Sequence, residues 1–231
     1  MSRIIIISNR LPISVQIDEE GQFKYHSSAG GLATGLKSLH DTGEAIWIGW
    51  PGLTFGPEED TSAVTRQLEA DHMVPVYIAG EDYENFYEGF SNKTIWPLFH
   101  YFQQYTQYNA EYWAAYKKVN EQYCEEVLKV VEPDDRIWVH DYQLMLLPQL
   151  IREKRPNATI GFFLHIPFPS YEIFRTLPWR QEILRGILGA DFIGFHTYDY
   201  VRHFLSAISR ILNVDHSLGR VQLIHRIVDG I

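Results

Sequence analysis

The chain alternates between short, almost wholly apolar runs and longer stretches in which apolar residues recur three and four apart. Arg3–Ile7, Ala45–Ile48, Met73–Ile78, Ile137–Val139, Ile160–Leu164 and Phe192–Phe195 are too short for helices and too apolar to have a wet face, so they read as strands buried on both sides. Asn109–Val131 carries Tyr112, Tyr116, Val119, Tyr123, Val127 and Val130 at helical spacing, and Val201–Leu212 carries Val201, Phe204, Leu205, Ile208, Ile211 and Leu212. Helices are also predicted at Gly31–His40, Ser62–Asp71, Gln143–Arg155 and Tyr171–Leu188, the last interrupted at Pro178. Val15–Tyr25, with Asp18, Glu19, Glu20 and Gly21 in its middle, reads as a hairpin or extended flap. Apolar strands alternating with helices predict an α/β fold, a doubly wound, mainly parallel Rossmann-like sheet.

In such sheets ligands bind beyond the carboxyl ends of the strands. Two runs stop there on ionisable residues: Ile137–Val139 runs into His140 and Asp141, and Ile160–Leu164 into His165. Ordinary loop residues are an equally good reading from pattern alone. Strand alternation sets His140 opposite to Asp141 and marks it as structural. Arg10 follows the first strand, where a guanidinium can grip a phosphate bidentately, although a lone Arg is more often a surface residue. Gly30 and Gly31 precede a helix, a place where backbone N–H groups can receive a phosphate. The pair fits neither the dinucleotide fingerprint nor a P-loop, and from pattern alone a tight turn is the better reading.

Several blocks resemble the trehalose-6-phosphate synthases, retaining glycosyltransferases of the GT-B type with two Rossmann-like halves. They are ISNRLP at Ile7–Pro12, SAGGLATGL at Ser28–Leu36, IGWPG at Ile48–Gly52 and FYEGFSNKTIWPLFHY at Phe86–Tyr101. WVHDYQLMLLP, GFFLHIPFPSYEIFRTLP and ADFIGFHTYDYVRHFL follow in order, as far as Asn213. The resemblance implies that Arg10 contacts the phosphate of glucose 6-phosphate, that Tyr87 and Trp96 frame this acceptor, and that Asp141 binds its hydroxyls. It implies that Gly30, Gly31 and Trp50 lie on the donor side and that His165 contacts the donor glucose, with His165 and Asp141 as the catalytic pair. The core-packing alternative stays open for Tyr87, Trp96 and Trp50. The implied reaction moves glucose, with retention, from UDP-glucose to glucose 6-phosphate to give trehalose 6-phosphate. No cofactor and no metal is implied. The family's second domain, which binds the nucleotide sugar, has no counterpart here. Residues 1–231 are therefore expected to be one N-terminal acceptor-binding domain, inactive by itself.

Composition narrows the partners. Hydrophobic residues are 45% and charged residues 21%, ordinary for a globular chain. Twenty basic against 29 acidic residues leave a formal charge of −9 without a basic run, which argues against nucleic acid and anionic membranes. Cys124 is the only cysteine, so no intrachain disulfide is available. No apolar run would span a bilayer, and Ile4–Ile7 is too short for a signal-peptide core. A cytoplasmic setting and small-molecule substrates are expected, with homo-oligomerisation left open. The rival is a non-catalytic, sugar-phosphate-sensing relative of the same fold, whose signature would be loss of Arg10, Asp141 or His165. A sister transferase with another acceptor is a second rival. A nicotinamide dehydrogenase is disfavoured because the first strand runs into SNRLP, not a Gly-x-Gly turn.

Overall fold

Ile5, Ile6 and Ile7 are all fully buried, and successive residues of a strand point to opposite faces. Their strand, β1 (Ile4–Arg10), must therefore lie inside a sheet covered on both sides. The computed structural model, which describes residues 2–20, 22–27, 31–41, 43–54, 60–223 and 227–230, puts it there. A two-stranded antiparallel flap, β2 (Ile13–Ile17) with β3 (Phe23–Ser27), follows β1 and leads into α1 (Gly31–Asp41). Next come β4 (Ala45–Trp50), α2 (Ser62–Ala70), β5 (Met73–Pro75) and α3 (Gly80–Tyr83). A π-helix (Glu84–Ile95), α4 (Trp96–Phe99) and the long α5 (Ala110–Val130) lead to β6 (Arg136–His140). The remainder is α6 (Leu147–Lys154), β7 (Thr159–Phe163), α7 (Tyr171–Phe174), α8 (Arg180–Ile187), β8 (Phe192–Gly194), α9 (Tyr198–Leu212), β9 (His216–Ser217), β10 (Arg220–Gln222) and β11 (Ile227–Gly230).

The main sheet runs β5-β4-β1-β6-β7-β8-β11-β10-β9. Neighbours from β5 to β11 are parallel, and the last two pairs are antiparallel. The chain builds outward from β1 through β4 to β5, then crosses back to β6 on the other side of β1. The gap between β1 and β6 is the topological switch point, the place where an open α/β sheet leaves a crevice.

The two faces carry separate cores. Ile5, Ile7, Ile137, Val139, Phe162 and Ile193 join the residues of α5, α6, α8 and α9. Ile6, Trp47, Val64 and Leu68 form a smaller cluster on the other face, around α1, α2 and the flap. Opposite the crevice, Arg3 and the buried Asp135 tie β1 to the start of β6 through a 2.6 Å ion pair. Gly189 lets α8 end against α6: a Cβ there would lie 2.1 Å from the Gln149 backbone nitrogen.

Most predicted elements are found with shifts of a residue or two at their ends. α5 is capped by Asn109, whose side chain accepts from the Glu111 N–H at 2.7 Å. Besides short elements that were not predicted (α3, α4, β9 and β10), the structure departs from expectation in three instructive ways. Met73–Ile78 is a strand only over Met73–Pro75; Val76 still donates to the Gly49 carbonyl at 2.9 Å, and Pro75 fits this edge strand because its missing N–H would face away from β4. The predicted helix from Gln143 to Arg155 is a single 3₁₀ turn over Tyr142–Leu144 followed by α6, which starts afresh with Pro148 in its first turn. The π-helix was not anticipated, since the usual period of 3.6 residues does not describe it.

Candidate active site

The strand ends bordering the switch point carry the polar residues. Arg10 pairs with Trp50 at the ends of β1 and β4, Ile7 lies beside Val139, His140 beside Phe163, and Phe163 beside Gly194. Trp50, Arg10, Asp141, His165 and His196 thus follow one another along the carboxyl edge of β4-β1-β6-β7-β8. Four interstrand steps of about 4.8 Å make this line roughly 19 Å long.

Arg10 is exposed yet held. Its Nη2 donates to the Tyr83 hydroxyl at 3.0 Å. Its guanidinium lies 4.8 Å from the Trp50 ring centre and 5.7 Å from that of Tyr87. Trp50 stacks on Tyr83 at 3.9 Å, and Tyr83 on Tyr87 at 5.3 Å. Among the described residues no carboxylate forms an ion pair with Arg10. The result is a cation oriented by aromatic planes with its charge left for an anion. Buried Tyr123 of α5 fixes the platform: the Trp50 N–H donates to its hydroxyl at 3.1 Å, and that hydroxyl donates to the Asn9 carbonyl at 2.6 Å. Gly49 lets β4 come this close, since a Cβ there would meet the Arg10 and Leu11 backbone at 2.9 Å.

Asp141 leaves β6 in a backbone conformation, φ 75° and ψ 173°, that is essentially glycine territory. The twist carries its carboxylate out of strand alternation. Its Oδ1 accepts the His165 N–H at 3.0 Å, and the Tyr142 N–H supports the same carboxylate. Burial outweighs these bonds and pushes the Asp141 carboxyl up to about 6. Tyr116, buried in α5, anchors the turn that follows: it donates to the Tyr142 carbonyl at 2.7 Å and accepts the Met145 N–H at 3.0 Å. The Tyr142 hydroxyl donates to Asn92 of the π-helix at 3.2 Å.

Behind Asp141 the imidazoles cluster. His140 Nδ1 lies 3.0 Å from His165 Nε2, and the His165 ring centre is 5.7 Å from that of His196. Burial drives both pKa values down, to about 3 for His140 and about 4 for His165, so both rings are neutral near pH 7. The Phe163 ring supports His165 and His196 and fits only because residue 194 is glycine: a Cβ there would sit 2.5 Å from it.

The expectation that His140 turns away from this site fails. The register sets His140 beside Phe163, and His165 continues the parity of Phe163, so both imidazoles stand on one face. Alternation within β6 could not reveal this without the register of β7. Arg10, Trp50 and Tyr87 are brought together, and Asp141 and His165 are brought together. Trp96 is exposed and stacks on His100 at 4.1 Å; its ring contacts are with His100 and Phe102, not with Arg10 or Tyr87. Gly31 opens α1 with nothing within 4 Å of a Cβ, so packing does not demand a glycine there. Gly30 lies outside the described residues. Tyr83 and His196 were missed. The rule that selected His140 and His165, an apolar run ending in a His, also picks His196 after Phe192–Phe195. Tyr83 had no sequence signal. Among the described residues no group of three His, Cys, Asp or Glu could hold a metal, and no helix is long and apolar enough to cross a membrane.

Comparison with known proteins gives concordant results. The sequence model of glycosyltransferase family 20 matches residues 2–229. The 56 kDa subunit of the UDP-forming α,α-trehalose-phosphate synthase of Kluyveromyces lactis is 48% identical over 219 residues, which are 92% of this chain and 45% of that protein. The crystal structure of a UDP-forming α,α-trehalose-phosphate synthase from Burkholderia xenovorans in complex with glucose-6-phosphate is similar over 100% of this chain and 49% of its own, with a TM-score of 0.78 and 30% identity. The N-terminal domain of Candida albicans trehalose-6-phosphate phosphatase is similar over 100% of this chain and 47% of its own, with a TM-score of 0.83 and 34% identity. The chain spans about half the length of the relatives it matches.

Proposed function

We propose that this chain, which belongs to glycosyltransferase family 20, is the N-terminal, acceptor-binding half of a trehalose-phosphate synthase in a cytoplasmic setting. The complete enzyme would move glucose, with retention, from UDP-glucose to glucose 6-phosphate, giving trehalose 6-phosphate and UDP. The observation that carries this reading is Arg10, a cation without a carboxylate partner among the described residues, aimed by Tyr83, Trp50 and Tyr87 beside the switch point. A sugar phosphate suits it: the dianion meets the guanidinium while the aromatic planes meet the ring. Asp141, one strand away, accepts sugar hydroxyls, and Trp96 closes the acceptor side. His165 contacts the donor glucose, and Gly30 and Gly31, with Trp50, receive the donor diphosphate.

The chemistry needs no pair of glycosidase carboxylates. On one face of the donor sugar the departing phosphate takes the proton of the incoming hydroxyl, so the protein positions the reactants and neutralises charge. The remaining diphosphate contacts come from outside residues 1–231, and this chain alone turns over neither substrate measurably. Presence of Arg10, Asp141 and His165 together favours a transferase over a sensing relative, although the likeness to a phosphatase N-terminal domain supports that second reading.

Calorimetric titration of residues 1–231 with glucose 6-phosphate and with glucose tests the acceptor half. Glucose 6-phosphate should bind, weakly but more tightly than glucose. Arg10→Ala should remove about 1.5–3 kcal/mol of that binding, the range for a charged hydrogen bond. Equal binding of both sugars by the folded chain would refute the role given to Arg10.

A further inference from the structure

The contact between His140 and His165 has a direction, and the surroundings of His140 fix it. His140 is 1% exposed, and its Nδ1 lies 3.0 Å from His165 Nε2. Its other nitrogen, Nε2, is buried and has no hydrogen-bond partner. Two neutral imidazoles at this distance share one proton, so two arrangements compete. In the first, His140 is protonated on Nδ1 and donates to His165, and its buried Nε2 holds only a lone pair. In the second, His165 donates from Nε2, and the proton of His140 must sit on the buried Nε2. That leaves an N–H donor orphaned in the core, where its lost hydration is not replaced. An unmatched lone pair is the milder defect, since orphaned donors are the rarer of the two in folded proteins.

The consequence reaches the ligand. When His165 Nε2 accepts, the proton of His165 must be on Nδ1. That nitrogen has no protein partner among the described residues and is not among the buried unpaired atoms, so it is open to solvent at the sheet edge. We propose that His140 is a positioning residue: by donating from Nδ1 to His165 Nε2 it holds His165 as the Nδ1–H tautomer and makes it an obligate hydrogen-bond donor to a sugar oxygen. The tautomer assignment stands on the geometry alone, whereas the identity of the oxygen rests on the function proposed above. The His side chain free in water prefers the Nε2–H form, so without His140 the proton of His165 would move to the inward nitrogen and the ligand would face a lone pair.

Tautomers are read directly from long-range ¹H–¹⁵N correlation spectra of the uniformly ¹⁵N-labelled chain at pH 7. Both His140 and His165 should be protonated at Nδ1. His140→Phe keeps a buried ring but has no donor, and should switch His165 to Nε2–H. His140→Asn, whose amide nitrogen reaches about where Nδ1 does, should restore the Nδ1–H form. A merely structural role for His140 would change the melting temperature in both variants and the tautomer in neither. Nε2–H on His165 in the unaltered protein would overturn the proposal, as would an unchanged tautomer in folded His140→Phe. If His140→Phe does not fold, the unaltered protein and His140→Asn decide the matter. Addition of UDP-glucose, at concentrations where calorimetry shows it bound to the chain, separates the two readings. If the His165 ring signals then stay still while the tautomer is as expected, the relay holds and His165 loses its place in the sugar site.

Discussion

Asp141 shows how one residue can be kept against its own preference. Its φ of 75° with ψ of 173° is a region that costs a non-glycine residue about 1–3 kcal/mol, and its carboxyl is buried besides. The surrounding bonds over-determine it: its N–H donates to the Phe163 carbonyl at 2.8 Å, its carbonyl accepts from Leu144, and its Oδ1 accepts from His165. The strain sets a carboxylate between the ends of β6 and β7, where no alternating strand residue could be. Removal of the side chain should therefore act oppositely on stability and on binding. Asp141→Gly should be more stable than Asp141→Ala by about 1 kcal/mol, the relieved strain less the chain entropy that glycine loses on folding. Both should bind glucose 6-phosphate more weakly than the parent. Urea unfolding and calorimetry on the two variants check this, and an alanine variant as stable as the glycine variant would remove strain from the account.

At the scale of elements, the site depends on a helix that contributes nothing to it directly. α5 spans the back of the sheet and sends Tyr123 to the ends of β1 and β4 and Tyr116 to the turn after β6. Tyr123→Phe would leave the Trp50 N–H and the Asn9 carbonyl short of a partner in the core. It should destabilise the chain by about 1–3 kcal/mol and loosen the Arg10 platform. The expected readout is weaker glucose 6-phosphate binding at temperatures where the variant is fully folded, with a smaller loss for glucose, which lacks the contact to Arg10. The sequence made α5 easy to find because its apolar stripe follows the helical period, and the buried strands because unbroken apolar runs have few other uses. What it could not supply was anything between elements. The meeting of His140 with His165 depends on the register of β6 against β7, the partnership of Arg10 with Tyr83 on a packing of the π-helix region that no local period encodes, and the position of Asp141 on a positive φ. Strand-end residues marked the edge of the sheet correctly, but pattern alone did not say which of them touch.

At the scale of the whole molecule, three buried groups at one sheet edge couple folding to pH with opposing signs. His140 and His165 have pKa values depressed by burial, to about 3 and about 4, whereas in the unfolded chain histidine titrates near 6.5. Below pH 6.5 the unfolded chain takes up protons that the folded chain refuses. Their contribution to stability is complete above pH 6.5 and is lost as pH falls toward 4 and below. Asp141 runs the other way. Its carboxyl, raised by burial to about 6, stays protonated in the fold after it has ionised in the unfolded chain near 3.8. Its ionised form is disfavoured by folding, so this term reduces stability as pH rises from about 4 to about 6. Between pH 4 and 6.5 two histidines oppose one carboxylate, and the histidines should win: the chain should become more stable as pH rises through this window. Asp135, whose carboxyl the neighbouring Arg3 holds below the ordinary range, acts only at more acid pH and leaves this window alone. Urea midpoints at pH 4.5, 5.5 and 6.5 give the slope. Removal of a histidine term in His140→Phe should flatten it, and removal of the opposing term in Asp141→Asn should steepen it. Because the two substitutions move the same slope in opposite directions, a general loss of stability cannot imitate the pair. A slope that is unchanged or shallower in Asp141→Asn would mean that the carboxylate at the heart of the site is ionised throughout this window and is not held neutral by its burial.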